Sequence, residues 1–161
     1  MKDVGVYRSE GPIVRDAIDA VEQKLGYLFP STYKALMAEH DYLRPKLNLF
    51  RYTYRGCQDD RDVNFFGYLS EDGVFSPSRM GDYRFDVAFL TKHIVPFGYS
   101  ANGDYICFDY RYDPKTAEPQ IVLMLHDDYV TDQDGNKKMV VNFVAPTFEA
   151  FVDLLYEDSG E

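Results

Sequence analysis

A hairpin signal in the middle of the chain constrains the fold most. Two segments rich in β-branched and aromatic residues, Ile94–Tyr99 and residues 105–110, flank a five-residue linker that contains Asn102-Gly103. Asn-Gly supplies the left-handed backbone conformations that a tight chain reversal requires. We therefore predict two antiparallel strands joined by a short turn.

A second hairpin signal lies near the carboxyl end. Residues 121–130 and 139–144 are predicted strands, and they flank a turn at residues 132–136 that contains Asp134-Gly135. This segment superficially resembles a calcium-binding loop, but its glycine comes too early and no glutamate stands at the closing position. We interpret it as a hairpin turn.

Further strand signals occupy the region before the central hairpin. From Leu47 onward, aromatic residues alternate with polar ones and predict a strand, and residues 63–69 predict another. The charged residues 56–62 between them are predicted to form a loop. Residues 70–84 are predicted to be irregular, and residues 86–91 to form a short helical turn.

Amphipathic helices are predicted near both ends of the chain. Gly11-Pro12 marks the start of the first helix and Gly26 its end. Pro30 starts a second helix that is expected to end near residues 40–42. Thr147 is expected to cap a third helix that ends near Gly160. Their apolar faces are expected to comprise Ile13, Ala17, Val21 and Leu25; Tyr33, Leu36 and Met37; and Phe148, Phe151, Leu154 and Leu155.

These signals together predict the fold class. We expect an α+β fold, with an antiparallel sheet meander of about five to six strands flanked by N-terminal helices and a C-terminal helix. The 161 residues, 45% of them hydrophobic, suffice to build a core. Because no internal repeat, linker or low-complexity tract interrupts the pattern, residues 1–161 are predicted to form a single domain.

The charge of the chain favours some partners and disfavours others. Its 27 acidic and 17 basic side chains give a formal net charge of −10. Such a surface repels phosphate backbones and anionic lipids, so neither nucleic acid nor a membrane is an expected direct partner. A basic protein would be attracted, although solubility alone is the other explanation of the charge.

The cysteines and the amino terminus bear on the cellular compartment. Cys57 and Cys107 are too few for a disulfide framework and do not form a CxxC motif. The first residues lack the apolar core of a signal peptide, and no run of about 18 apolar residues occurs. We therefore expect a protein of the reducing cytoplasm.

Five short segments, in order and over nearly the whole chain, match motifs of one protein superfamily. The segments are Leu28-Phe29-Pro30-Ser31-Thr32-Tyr33-Lys34; Ile94-Val95-Pro96-Phe97-Gly98; Asn102-Gly103-Asp104-Tyr105-Ile106-Cys107-Phe108-Asp109-Tyr110; Pro119-Gln120-Ile121-Val122-Leu123 with His126-Asp127; and Val144-Ala145 with Thr147-Phe148-Glu149-Ala150-Phe151. In these motifs the chain resembles the SUKH superfamily, which includes bacterial immunity proteins and a domain of fungal cell-wall assembly regulators. It departs from them at Phe29, at His40-Asp41 and at Met124 or Leu125.

The motif residues are interpreted as architectural. Prolines and glycines of this kind end loops and allow turns, and a carboxylate near a strand end accepts backbone hydrogen bonds. The residues so interpreted are Pro30, Tyr33, Pro96, Phe97, Gly98, Gly103, Asp104, Asp109, Pro119, Phe148 and Phe151.

The resemblance implies a non-enzymatic protein that binds another protein. An immunity protein would neutralise a cognate toxin, a basic toxin domain in view of the charge, by stoichiometric occlusion. The first alternative is a regulatory or scaffold domain that binds a host signalling protein. The second is a domain that binds a small ligand or catalyses a reaction in a pocket under the aromatic-rich sheet.

Catalytic and metal sites are not expected. Two cysteines and three histidines are present, but no GxSxG, HExxH or P-loop motif surrounds a candidate nucleophile. Cys107 lies in an apolar strand, where a buried hydrophobic role is expected. His126-Asp127-Asp128 offers metal ligands, yet adjacent strand residues point to opposite faces and are not expected to converge. No cofactor is predicted.

Acidic loops are the candidate partner-binding sites. Charge runs are usually solvated, but together with neighbouring tyrosines they would steer and anchor a basic partner. The candidate residues are Asp59, Asp60, Asp62, Asp127, Asp128, Asp132 and Asp134.

Overall fold

The computed structural model describes residues 1–68 and 93–159. Within these residues the chain forms three α-helices and two antiparallel sheets, of two and five strands. The α+β prediction is therefore confirmed. The elements are α1 (Arg15–Leu25), α2 (Ser31–Glu39), β1 (Leu49–Tyr54), β2 (Cys57–Asp62), β3 (Asn64–Phe65), β4 (Ile94–Tyr99), β5 (Tyr105–Asp109), β6 (Gln120–Thr131), β7 (Lys137–Ala145) and α3 (Phe148–Leu154).

The larger sheet is a meander in which β3 to β7 pair in sequence order. Both predicted hairpins are confirmed, since β4 pairs with β5 and β6 with β7. In the first turn Gly103 has a φ of 100°, and its N–H donates to Ser100 O at 3.0 Å. Gly98 follows a bulge in β4 and approaches β3 so closely that a Cβ would lie 2.9 Å from Asn64 O. A side chain at this position would push β3 away.

Strand β2 corrects the prediction of a loop over residues 56–62. It pairs with β1 along its whole length, and Arg55 and Gly56, with φ of 51° and 79°, make the connecting turn. Positive φ at both central residues matches the twist of a two-residue hairpin. The prediction was wrong because β2 is charged and exposed, so its pairing with β1 rather than its own pattern makes it a strand.

The strand predicted over residues 63–69 is shorter in the structure. Of the described residues in this range only Asn64 and Phe65 belong to β3, opposite Tyr99 and Gly98 of β4. Residue 69, the irregular stretch 70–84 and the helical turn predicted at residues 86–91 lie outside the described residues.

The first two helices follow the prediction with one shift. α1 begins at Arg15 rather than at Pro12, because the Ile13 N–H donates to Ala38 O at 2.8 Å and holds the preceding chain against α2. Gly26 ends α1 in the left-handed conformation, as predicted. α2 starts directly after Pro30.

The last helix is shorter than predicted. Thr147 caps α3 as expected, and its side chain accepts a hydrogen bond from the Ala150 N–H at 3.1 Å. α3 ends at Leu154 and not near Gly160, because Tyr156 exchanges two backbone hydrogen bonds with Leu49 of β1 at 2.9 and 3.0 Å. Leu154 was predicted to be on the buried face but is 41% exposed.

Aromatic rings form the centre of the main core. Tyr33 of α2 is fully buried, and its ring lies 5.0 Å from Phe108, 5.7 Å from Phe97 and 5.4 Å from Phe148, measured between centroids. The two central hairpin strands, α2 and α3 therefore meet at one side chain. A second, smaller apolar cluster consists of Ile94, Cys107, Val122, Met124 and Met139.

Candidate partner-binding face

Alternation along β2 divides its charges between two sides of the β1–β2 ribbon. Asp59 lies opposite Tyr52 of β1, and the Tyr52 hydroxyl donates to its carboxylate at 3.3 Å. Asp60 lies opposite Arg51 on the other side and pairs with its Nε at 3.3 Å. Two adjacent predicted binding residues therefore point away from each other.

Arg61 organises the side that carries Asp59. Its Nη1 donates to Asp59 Oδ2 and its Nε to Asp104 Oδ2, both at 2.9 Å, and its guanidinium carbon lies 5.4 Å from the centre of the Tyr52 ring. Burial alone would lower the pKa of Arg61, but its bonds to Asp104 and Asp59 raise it. Burial also raises the pKa of Tyr52 to about 12, so Tyr52 is a neutral hydrogen-bond donor at neutral pH.

Asp104 connects β2 to β6. It follows the turn between β4 and β5, and its side chain is 1% exposed. Oδ1 accepts from the backbone N–H of His126 at 3.0 Å and lies 2.6 Å from His126 Nδ1, while Oδ2 accepts from Arg61 and Asn102. Burial would raise the pKa of this carboxyl, but the bonds from His126, Arg61 and Asn102 lower it below its usual value. Asp104 is thus a buried anion with donors on both oxygens.

An irregularity in β6 corrects the expectation that His126 and Asp127 diverge. The register with β7 shifts between Leu125 and Tyr129, so the residues between them do not alternate as in a regular strand. As a result, ligand-type atoms of Asp104, His126 and Asp127 lie within 4.8 Å of one another. No metal site was predicted here, and the absence of one stays a prediction.

Asp128 connects the same region of β6 to the tip of the ribbon. The Tyr54 hydroxyl donates to Asp128 Oδ2, and Arg55 Nη2 lies 3.4 Å from the same oxygen. The bond to Asp128 raises the pKa of the Tyr54 hydroxyl. The β1–β2 ribbon and β6 are therefore joined at two points. Asp104 connects Arg61 to His126, and Asp128 binds Tyr54 and Arg55.

We call the resulting surface the acidic face. It carries four carboxylates against two guanidiniums and has a formal charge of −2 when His126 is neutral. Its residues are Arg55, Asp59, Arg61, Asp104, His126, Asp127 and Asp128.

Four of the predicted binding residues lie apart from the acidic face, and one of them, Asp60, is on the other side of the ribbon. Asp62 accepts from the Ser100 hydroxyl at 2.6 Å and from the Ala101 N–H at 3.1 Å, so it ties β2 to the turn between β4 and β5. Asp132 accepts from backbone N–H groups within its own turn, including that of Asp134, and pairs with Lys138 at 3.4 Å. None of the described contacts of Asp132 and Asp134 reaches β2.

The family of the chain follows from a comparison of its sequence with known proteins. The model of the SMI1 / KNR4 family (SUKH-1) matches residues 12–154. The chain belongs to the SMI1/KNR4 family. A search of curated proteins gave no match. The family supports a general role as a protein-interaction domain.

The SMI1/KNR4 motif residues lie in the core and in the turns. Asp109, 4% exposed, accepts three hydrogen bonds from the backbone and guanidinium of Arg111. Pro30 directly precedes α2, Pro96 lies beside the bulge of β4, and Pro119 is buried before β6. The aromatic motif residues Tyr33, Phe97, Phe148 and Phe151 are fully buried.

The sequence did not identify Arg61 as a member of the acidic face or Tyr54 as a residue beside it. Arg61 was visible as the one cation in the run Asp59-Asp60-Arg61-Asp62. Had residues 57–62 been assigned to a strand, alternation would have placed Arg61 on the same side as Asp59. The contact of Tyr54 with Asp128 spans 74 residues and leaves no local signal.

Among the described residues, no helix has both the length and the apolar character needed to cross a bilayer.

Proposed function

We propose that this protein is a non-enzymatic immunity protein of the cytoplasm. It binds a cognate toxin, a basic toxin domain, and neutralises it by stoichiometric occlusion. The observation that carries the proposal is the convergence of Asp59, Asp127 and Asp128 on one surface of an SMI1/KNR4 domain. Residues 1–161 act as one domain in this proposal, without a direct nucleic-acid or membrane partner.

The acidic face has the charge and the fixed geometry that such a partner requires. The Asp59 side chain is 57% exposed and Asp127 is exposed, so both carboxylates are accessible to an incoming cation. Tyr52 and Arg61 hold the Asp59 carboxylate in place, so little of its side-chain entropy is lost on binding. A preformed negative surface accelerates association with a basic protein and rejects acidic ones.

Tyrosines beside the acidic face supply anchoring area. Tyr129 is 43% exposed, and its hydroxyl donates to His126 O at 2.6 Å. Tyr54 is half-buried and bonded to Asp128. Rings held in this way offer a large contact area and lose little conformational entropy on binding. Tyrosine is accordingly enriched in interface hot spots.

The described residues support binding rather than catalysis. His126 is paired with Asp104, but no described hydrogen bond joins it to a serine, threonine or cysteine hydroxyl or thiol that could act as a nucleophile. Cys107 is fully buried, and burial raises the pKa of its thiol well above the usual value. An inert thiol of this kind is a packing residue.

The test combines capture with rescue of growth. Tagged protein is used to recover partners from the lysate and the secreted fraction of its own cells, and any small basic polypeptide recovered is expressed with and without the protein. We expect a one-to-one complex and restored growth. Capture of a signalling protein without rescue would favour the regulatory alternative and contradict the immunity role.

The contribution of the acidic face is tested separately with the recovered partner. The Asp59→Asn/Asp127→Asn variant should associate at least about tenfold more slowly at low salt, and the deficit should shrink as salt screens the charge. The Asp16→Asn/Asp153→Asn control removes the same charge from α1 and α3, where both residues are exposed. Equal slowing of both variants would show that net charge, and not the acidic face, steers the partner.

A further inference from the structure

A cleft of about 700 Å³ lies outside the acidic face. The N-terminal segment contributes Arg8 and Glu10, the segment after α2 contributes Tyr42 and Arg44, and Tyr99 of β4 also lines the cleft. Its volume is in the range of sites that hold a small organic molecule.

Two arginines lie side by side in the lining of this cleft. Arg8 and Arg44 form an antiparallel β-bridge, with Arg44 N–H donating to Arg8 O at 2.8 Å and Arg8 N–H to Arg44 O at 3.2 Å. Residues paired in this way extend their side chains on the same side, and like charges placed opposite each other are destabilising. The backbone therefore holds two exposed cationic side chains next to each other.

Neither guanidinium is neutralised within the described residues. Arg44 Nε donates to the neutral amide oxygen of Asn64 at 2.8 Å, and the guanidinium of Arg8 makes no hydrogen bond or ion pair there. Glu10 and Asp41 line the same cleft, but neither forms an ion pair with Arg8 or Arg44. The Asp41 carboxylate instead accepts from the Tyr68 N–H at 2.7 Å.

The aromatic wall of the cleft is held in a fixed position. Tyr42 has a φ of 56°, an uncommon conformation for a residue with a side chain. Its ring lies directly over Gly67, where a Cβ would be 2.0 Å from Tyr42 Cδ2. Tyr99 is stacked on Phe66 at 5.4 Å between ring centroids. Backbone strain that is maintained by packing is typical of binding sites.

We propose that this arginine cleft binds a small organic anion. Arg8 and Arg44 hold a carboxylate or phosphate group, and Tyr42 and Tyr99 contact the planar body of the ligand. An arginine fork matches both kinds of oxyanion with paired hydrogen bonds, and Asn64, 5% exposed, fixes the orientation of Arg44. The site is independent of the proposed toxin binding.

Titration calorimetry of the full chain with three probes tests the proposal. Phenyl phosphate and benzoate carry the two candidate anions on the same ring, and phenol is the matched neutral control. We expect saturable binding of at least one anion and none of phenol. The stronger anion identifies a phosphate or a carboxylate as the natural group.

Variants assign the binding to the two arginines. Arg8→Gln and Arg44→Gln should each weaken the binding of the anion by roughly tenfold or more. Arg15→Gln, which removes an exposed arginine from α1, should leave it unchanged. Arg8→Gln is the cleaner variant, because the guanidinium of Arg8 has no described partner to lose.

Thermal unfolding provides a second readout. The bound anion should raise the Tm of the wild-type protein and of Arg15→Gln, but not that of the Arg8→Gln/Arg44→Gln variant. Absence of saturable binding to the wild type, or equal binding to the double variant, would overturn the proposal.

Discussion

Asp104 is the residue on which the acidic face depends most. A buried carboxylate is tolerated only when donors satisfy it, and Asp104 receives them from β2, from its own turn and from β6. It stays out of contact with solvent and therefore acts through Arg61 and His126, whose positions it sets.

The first prediction concerns the loss of this charge. Asp104→Asn should reduce the free energy of unfolding by about 1.5–3 kcal/mol, because Arg61 and the backbone N–H of His126 lose a charged acceptor. Urea unfolding with an unchanged m-value measures this loss. Asp60→Asn removes an exposed carboxylate on the other side of the ribbon and should leave the midpoint nearly unchanged. Equal midpoints for the two variants would contradict the anchoring role.

The second prediction concerns pH. The pKa of Asp104 is lower in the folded protein than in the unfolded chain, where it is about 3.9. Its contribution to stability is therefore present above that pH and is lost as the pH falls through the folded value. The stability difference between wild type and Asp104→Asn should shrink below about pH 4. Urea titrations at several pH values measure it, and a difference that persists undiminished below about pH 4 would contradict the assignment.

At the scale of elements, local signals explain which strands and helix ends were predicted correctly. The turn at Asn102-Gly103 and the capping residue Thr147 act within a few positions, so sequence alone identified both. β2 was missed because four of its six residues are charged and none is buried. The end of α3 was missed because Tyr156 pairs with Leu49, over a hundred positions away, and such pairing has no local signature.

The third prediction concerns the start of α3. Thr147→Ala removes the acceptor of the Ala150 N–H and should reduce the free energy of unfolding by about 1 kcal/mol. Thr147→Ser keeps the hydroxyl and should retain most of the stability. Thr53→Ala, which removes a threonine from the exposed side of β1, is the control for loss of a threonine that caps no helix. Chemical denaturation compares the three. A serine variant as unstable as the alanine variant would show that packing of the methyl group, and not capping, matters.

At the scale of the whole molecule, one ring joins the elements. Tyr33 contacts residues of β4, β5 and α3 from its position on α2. The sequence predicted that Tyr33 lies on the apolar face of its helix, but which rings would surround it depended on the sheet order. The acidic face has the same origin, since its aspartates come from segments that only the folded chain brings together.

The fourth prediction follows from this arrangement. Tyr33→Ala should reduce the free energy of unfolding by about 3–5 kcal/mol, as truncation of a large aromatic side chain in a packed core generally does. Tyr112→Ala removes a tyrosine that is 79% exposed and should cost far less. Both proteins should unfold in a single transition by circular dichroism and by tyrosine fluorescence. Two separate transitions would contradict the prediction that residues 1–161 form one domain.

The two cysteines differ in a way that makes the ribbon easy to observe. Cys57 is exposed at the start of β2, whereas Cys107 is buried with a raised thiol pKa. A maleimide dye at neutral pH will therefore attach to Cys57 alone, without any engineered substitution. The label then sits two positions from Asp59, so the arrival of a partner at the acidic face will change its emission in the native chain.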